Sequence, residues 1–88
     1  MQKINKNINQ LYKRYVGVVT FIDREGSVRP LYVIWENNIR YAVDRICKIS
    51  ERASVVGGSG LCFECIISGQ RRNLFYERNR WFIESTKP

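Results

Sequence analysis

Two β-rich runs within residues 28–49 flank a short polar segment, and this arrangement constrains the fold more than any other feature of the chain. Valine, isoleucine, tyrosine and tryptophan dominate both runs, and these residues favour the pleated surface of a sheet. Between the runs lies Glu36-Asn37-Asn38, and asparagine tolerates a positive φ better than other residues with a side chain. The pattern predicts a β-hairpin.

The length of the hairpin loop decides which side chains share a face. A two-residue loop at Asn37-Asn38 would place Arg40 and Asp44 on the same face as Trp35. A three-residue loop with Asn38 left-handed changes the parity. It gathers six apolar or aromatic side chains on one surface, so we favour it: Leu31, Val33, Trp35, Ile39, Tyr41 and Val43. Pro30 has no N–H to donate, which predicts a sheet edge or a bulge at that position.

The rest of the chain predicts an antiparallel meander of short strands. Residues 13–23 form a strand that is apolar on both faces, and Gly17 marks a bulge or a barrel corner within it. Further strands are expected at 61–68, 71–77 and 80–84, with tight turns at Ser68-Gly69-Gln70 and Arg78-Asn79. Five or six strands in so short a chain must curl to bury a core, so we expect an all-β fold, a small barrel or roll.

The strands define the predicted domain boundaries. Residues 13–84 form a single β domain, and residues 85–88 form a C-terminal tail. Residues 1–12 form either an N-terminal tail or a short helix, because the apolar residues there recur at helical spacing. The glycine-rich segment at 57–60 lacks the Lys-Ser/Thr that a phosphate-binding P-loop requires after its last glycine, so we interpret it as a mobile hairpin loop.

The residues that carry catalysis or bind metals are scarce. The chain has no histidine, which excludes Ser–His and Cys–His pairs and imidazole ligands. Cys62 and Cys65 have C-x-x-C spacing, but on a strand they would face opposite sides, and Cys47 is the only third thiol. The acidic residues are scattered, mostly beside an arginine, which predicts solvated ion pairs: Asp23/Arg24, Asp44/Arg45, Glu51/Arg52 and Glu77/Arg78. We therefore expect no enzymatic activity, no catalytic residue, no metal and no cofactor.

Charge gives the one positive indication of function. The formal net charge is +7, and ten of the fifteen basic residues are arginine, which favours anionic partners, either nucleic acid or an acidic protein surface. Four arginines interleave with aromatic residues near the C-terminus and are the predicted nucleic-acid contacts: Arg71, Arg72, Arg78 and Arg80. Exposed rings at Phe75, Tyr76 and Trp81 would suit base stacking. The alternative is that these rings belong to the core and the arginines form a solvated rim.

Other features bear on location and assembly. No apolar run approaches the roughly 20 residues needed to span a bilayer, and no signal-peptide pattern is visible. Three cysteines are an odd number, which argues against a disulfide framework. We expect a cytoplasmic protein with no membrane association. The competing function is a structural or protein-interaction domain, with a homodimer formed through an exposed strand edge as one form of it.

The chain resembles a family of small uncharacterised bacterial β domains over roughly residues 14–84. Those domains read R-P-x-x-hydrophobic-x-W, a polar turn, a returning strand with arginine, tyrosine and valine, a second hairpin and a terminal tryptophan. The matching residues here are Arg29-Pro30, Trp35, Arg40, Tyr41, Val43 and Trp81-Phe82-Ile83. A glycine-containing turn is usual where this chain has Asn37-Asn38. The resemblance implies a small all-β fold and no catalytic residue.

Overall fold

A computed structural model describes residues 11–86, which form six antiparallel strands closed into one small barrel. In chain order the strands are β1 (Tyr12–Ile22), β2 (Val28–Ile34), β3 (Arg40–Ala53), β4 (Ser59–Ile67), β5 (Gln70–Glu77) and β6 (Arg80–Ser85). This confirms the prediction of an all-β small barrel. The tail or helix predicted for the N-terminal segment falls, for residues 1–10, outside the described residues. The part of the chain that the structure describes contains no helix long and apolar enough to cross a membrane.

The hairpin between β2 and β3 has the three-residue loop that the apolar pattern predicts. Val33 pairs with Tyr41 and Ile34 with Arg40. The loop is closed by hydrogen bonds from Trp35 N to Ile39 O (2.8 Å) and from Asn38 N to Trp35 O (2.9 Å). Asn38 has a φ of 64°, which is the left-handed conformation that this loop requires.

The predicted apolar face of the hairpin is correct for four of its six residues. Val33, Trp35, Tyr41 and Val43 pack into the barrel interior, whereas Leu31 and Ile39 are exposed. The reason at Leu31 is a β-bulge. Val19 pairs with Tyr32 and Thr20 with Pro30, so Leu31 is the extra residue and the side-chain alternation shifts by one. The bulge predicted near Pro30 is thus confirmed. Ile39 is the first residue after the loop.

Two strands change partners along their length, and this bends the sheet into a barrel. Residues 12–16 of β1 pair with β6, and residues 17–22 pair with β2. Gly17 is therefore the first residue beyond the switch, at the predicted barrel corner. In the same way β3 pairs with β2 at its start and with β4 from Val43 onward. Two register shifts in β3 explain why its sequence loses strict alternation although the strand continues to Ala53.

The barrel interior holds the larger of two hydrophobic clusters. Its buried residues are Val33, Phe63, Cys65, Ile67, Leu74, Trp81 and Ile83, with Trp35 and Tyr41 among the partly buried residues packed against them. The Trp81 ring lies 5.3 Å from the Phe63 ring and 4.8 Å from the Tyr76 ring, measured between centroids. The indole Nε1 of Trp81 donates a hydrogen bond to Thr20 Oγ1 at 3.0 Å. This bond ties β6 to the part of β1 with which it no longer pairs.

A smaller cluster lies on the outer face of the sheet, where Phe75 stacks on Phe82 (4.9 Å between centroids) beside Cys62. The 54–58 loop between β3 and β4 covers it, with Val56 packed against the rings. Ser54 Oγ donates to Glu84 Oε2 at 2.8 Å and holds one side of the loop. Gly57 and Gly58 therefore lie in a hairpin loop, as predicted, whereas Ser59 and Gly60 of the same segment begin β4.

Candidate nucleic-acid interface

The structure places the four predicted contact arginines in two pairs. Arg71 and Arg72 lie near the start of β5, whereas Arg78 lies in the β5–β6 turn and Arg80 begins β6. The tight turn at Arg78-Asn79 is confirmed by the pairing of Glu77 with Arg80. At about 3.3 Å per residue, Arg72 and Arg78 are separated by roughly 20 Å along the strand. The turn therefore brings together only Arg78 and Arg80.

The aromatic residues proposed for base stacking are packed inside the protein. Phe75 is fully buried, Trp81 is 6% exposed and Tyr76 packs against the interior cluster. The alternative interpretation as core is confirmed for Phe75 and Trp81, whereas Tyr76 is only partly buried. Arg80 has a ring partner of another kind, because its guanidinium lies 3.6 Å from the centroid of Tyr15.

A row of side chains crosses three strands on the outer face and carries two exposed arginines. Arg45 of β3 pairs with Ile66 of β4, which pairs in turn with Arg71 of β5. Two inter-strand steps place the Cα atoms of Arg45 and Arg71 about 10 Å apart. Within residues 11–86, neither guanidinium has a carboxylate in salt-bridge range. Sequence reasoning missed Arg45, because the register shift between Val43 and Arg45 decides its face.

The ion pairs of the described residues differ from those predicted. Glu77 pairs with Lys13 at 3.4 Å, and Glu64 pairs with Arg52 at 3.4 Å. The third pair joins Glu36 to Arg14. None of the four predicted pairs of adjacent residues is among them, and for Glu51 and Arg52 the reason is that neighbours on a strand point to opposite faces. Each observed pair joins residues from different elements, and this leaves the arginine at position 45 without its expected partner, Asp44.

A shallow hollow of about 350 Å³ lies beside this row on the outer face, and we call it the arginine groove. It is lined by Leu11, Arg52, Glu64, Arg71, Arg72, Asn73 and Glu84. Its two carboxylates are engaged: Glu64 with Arg52, and Glu84 with the side chains of Ser54 and Asn73. The three arginines outnumber the two carboxylates, so the lining of the groove carries one net positive charge.

A second cavity, of about 390 Å³, opens at the adjacent end of the barrel, and we call it the mouth cavity. Its apolar lining comes from Val33, Trp35, Tyr41, Ile67 and Ile83, and its polar lining from Ser68, Gln70, Arg72, Glu84, Ser85 and Thr86. Arg72 lines both hollows, and its Nη2 donates to Gln70 Oε1 at 2.6 Å. The guanidinium of Arg14 lies 4.7 Å from the centroid of Trp35. The structure therefore joins one predicted contact, Arg72, to two aromatic residues that the prediction had assigned only to the core.

The cysteines lie apart, as the strand argument predicts. Cys65 belongs to the interior cluster and Cys62 to the outer cluster, and Cys47 is exposed. Burial raises the pKa of the Cys65 thiol to about 11 and also raises the pKa of the Cys62 thiol. Residues 11–86 contain no group of three or more cysteine or carboxylate side chains placed to share a metal ion.

Comparisons with protein-family models, with curated proteins and with solved structures found no match for this chain.

Proposed function

We propose that this barrel is a non-enzymatic module that binds single-stranded nucleic acid. Arg45, Arg71 and Arg72 are the primary phosphate contacts. The observation that supports this most is the Arg45–Ile66–Arg71 row, in which two exposed guanidinium groups about 10 Å apart lack a carboxylate partner among the described residues. Guanidinium groups bind phosphate oxygens with two parallel hydrogen bonds, and unpaired ones do so without first breaking an ion pair.

The shape of the basic surface favours single-stranded nucleic acid over a duplex. Duplex recognition in the major groove commonly uses an inserted helix or a two-stranded ribbon, and the described strands instead form a closed barrel. Single-strand binders combine a positively charged groove with aromatic side chains beside it. The arginine groove and the mouth cavity supply these two components and share Arg72.

Arg78 and Arg80 lie at the other end of β5. A bound nucleic-acid strand would reach them only if it were longer. Arg80 is stacked on Tyr15, which is 44% exposed. We propose these two arginines as secondary contacts.

Fluorescence anisotropy tests the proposal with a labelled single strand of about 12 nucleotides, which covers the site size of small barrels. Affinity should fall steeply as salt rises from about 50 to about 200 mM, because bound phosphates release their counterions. Replacing both Arg45 and Arg71 with alanine should reduce the salt slope by about 1.4, at about 0.7 for each phosphate that the protein no longer neutralises. The matched control, Arg24→Ala with Arg29→Ala, removes the same charge from exposed positions elsewhere. Absence of binding at low salt, or equal losses of affinity in the two double variants, contradicts the proposal.

A protein-interaction function is the second candidate, and a specific surface favours it. Phe21, Leu31 and Tyr32 lie on the paired strands β1 and β2 and are 41–52% exposed. Exposed apolar side chains on adjacent strands are typical of interaction surfaces. Residues 17–22 of β1 also pair with β2 alone, which leaves one side of that segment unpaired with β6. Light scattering tests a homodimer, since its mass would rise with protein concentration and fall after Tyr32→Ser.

We propose a cytoplasmic location for this activity. The support is that all three cysteines are free thiols and that Cys47 is exposed, which suits a reducing compartment.

A further inference from the structure

We infer that the mouth cavity holds one unstacked nucleobase of the bound strand, and this inference rests on the proposed nucleic-acid function. The cavity measures about 390 Å³, within the range of about 300–1,000 Å³ found for small-molecule sites. Its floor is formed by the buried side chains of Val33, Ile67 and Ile83, with the rings of Trp35 and Tyr41 beside them. An apolar, ring-lined floor suits the flat face of a base.

The rim of the cavity matches the polar edge of a base. Ser68 and Gln70 lie there with a hydroxyl and an amide, which together can donate and accept hydrogen bonds. Ser68 lies in the β4–β5 turn, where Ser68 and Gly69 have positive φ values of 50° and 78°, and Gln70 follows as the first residue of β5. This tight turn fixes the two side chains at the edge of the barrel.

The polar lining favours a ligand with hydrogen-bonding groups over a purely apolar one. Arg72 and Glu84 both line the cavity, and Arg14, which pairs with Glu36, stacks against Trp35 beside it. An apolar chain would deprive the Ser68 hydroxyl and the Gln70 amide of hydrogen bonds to water, which costs free energy. A nucleobase offers an apolar face and a polar edge together.

Arg72 connects the two halves of the proposed site. It lines the mouth cavity and the arginine groove, so one guanidinium lies between the place for a base and the place for its phosphates. Arg71, the next residue, lines only the groove. A single-stranded nucleic acid whose phosphates contact Arg45 and Arg71 would therefore bring one base to the mouth cavity where it passes Arg72.

Two probes of equal length and charge test this inference separately from the proposed function. One is an oligothymidylate and the other is a deoxyribose-phosphate strand without bases. The oligothymidylate should bind at least about fivefold more tightly, because stacking on protein side chains strengthens binding base by base. Equal affinities would overturn the nucleobase inference and leave phosphate binding intact. Failure of both strands to bind at low salt would overturn the proposed function itself.

A variant and a direct readout locate the base. Ser68→Ala, at an exposed position that lines the mouth cavity and not the arginine groove, should weaken oligothymidylate binding more than base-free strand binding, whereas equal effects on both strands would contradict the inference. In NMR titrations the indole N–H signal of Trp35 should shift more than that of the buried Trp81, and the opposite pattern would contradict it. Thymidine 5′-monophosphate is the third probe. If it binds as tightly as the oligonucleotide, the cavity belongs to free nucleotides and the assignment to a strand is overturned.

Discussion

Cys62 and Cys65, three residues apart in β4, lie in two different hydrophobic clusters on opposite faces of the barrel wall. Both side chains are completely buried, and Cys65 Sγ contacts Arg72 O at 3.7 Å. The two thiols therefore cannot meet without disruption of the strand. Each acts as a small apolar side chain, and burial disfavours the thiolate that reactions at sulfur require.

Thiol accessibility gives the first prediction. In the native protein Cys47 should react quickly with an aromatic disulfide reagent, and Cys62 and Cys65 should react only at the rate of unfolding, because both are buried and have raised pKa values. The time course at pH 8 should show one fast thiol and two slow ones, and denaturant should make all three fast. Three fast thiols in the native protein would contradict the burial of Cys62 and Cys65. Cys47→Ser is the control that removes only the fast phase.

Gly60 gives the second prediction, because it lies where β4 passes close to β5. A Cβ at this position would lie 2.3 Å from Tyr76 O, a backbone atom that cannot rotate away. Gly60→Ala should destabilise the protein by about 1–3 kcal/mol or more, as overpacking does elsewhere. The matched control is Gly17→Ala, whose Cβ would meet Ile34 at an ordinary 3.5 Å. Urea unfolding should separate the two variants, and equal stabilities would contradict the close approach at Gly60.

Arg78 gives the third prediction, because its φ of 51° places an ordinary L-residue in the left-handed region. Asparagine tolerates this conformation better and is favoured in two-residue hairpin turns. Arg78→Asn should therefore raise the free energy of unfolding by roughly 0.5 kcal/mol, a fraction of the cost of left-handed backbone. Denaturant midpoints with an unchanged m-value check this result. A loss of stability would show that the guanidinium contributes more than the turn strain costs.

The carboxylate of Glu77 gives the fourth prediction, on pH dependence. It accepts a hydrogen bond from Ser59 N at 3.1 Å and pairs with Lys13, and these contacts lower its pKa, the Ser59 bond most. A lowered folded-state pKa means that the stabilisation is present above the usual carboxyl pKa of about 4.3 and is lost as pH falls through the folded value.

Glu77→Gln should therefore be less stable than the wild type near pH 6, and the difference should shrink as pH falls toward about 3. Thermal unfolding across this range measures the effect. Glu51→Gln is the control, because Glu51 is exposed and forms no ion pair within residues 11–86. A difference that stays constant with pH would show that Glu77 does not titrate as described.

Local patterns in the sequence predicted the local structure correctly. The three-residue loop with left-handed Asn38, the turn at Arg78-Asn79 and the divergence of Cys62 from Cys65 each follow from a few adjacent residues. The exposure of Leu31 could not be predicted, because a bulge between Val19/Thr20 and Pro30 shifts the alternation and depends on the partner strand.

The candidate site was only partly predictable for the same reason. Arg71 and Arg72 were found from their sequence, but Arg45 acquires its position through a register shift in β3 and through pairing with β4. The mouth cavity combines residues from β2 to β6, including Trp35 and Arg72, and contacts over such distances in sequence leave no local signature.

The pairing of β1 with β6 has a consequence for how the chain becomes folded. Val16 meets Trp81 across that seam, so the first and last strands close the barrel together. During synthesis the earlier hairpins can form as they emerge, but the ring of strands stays open until β6 has been made. The outer rings at Phe75 and Phe82 reach their stacked position only with this last strand. Because the closing contacts are distant in sequence, they carry a large loop-closure cost, and we expect folding on the slow, millisecond-to-second scale of small β-barrels.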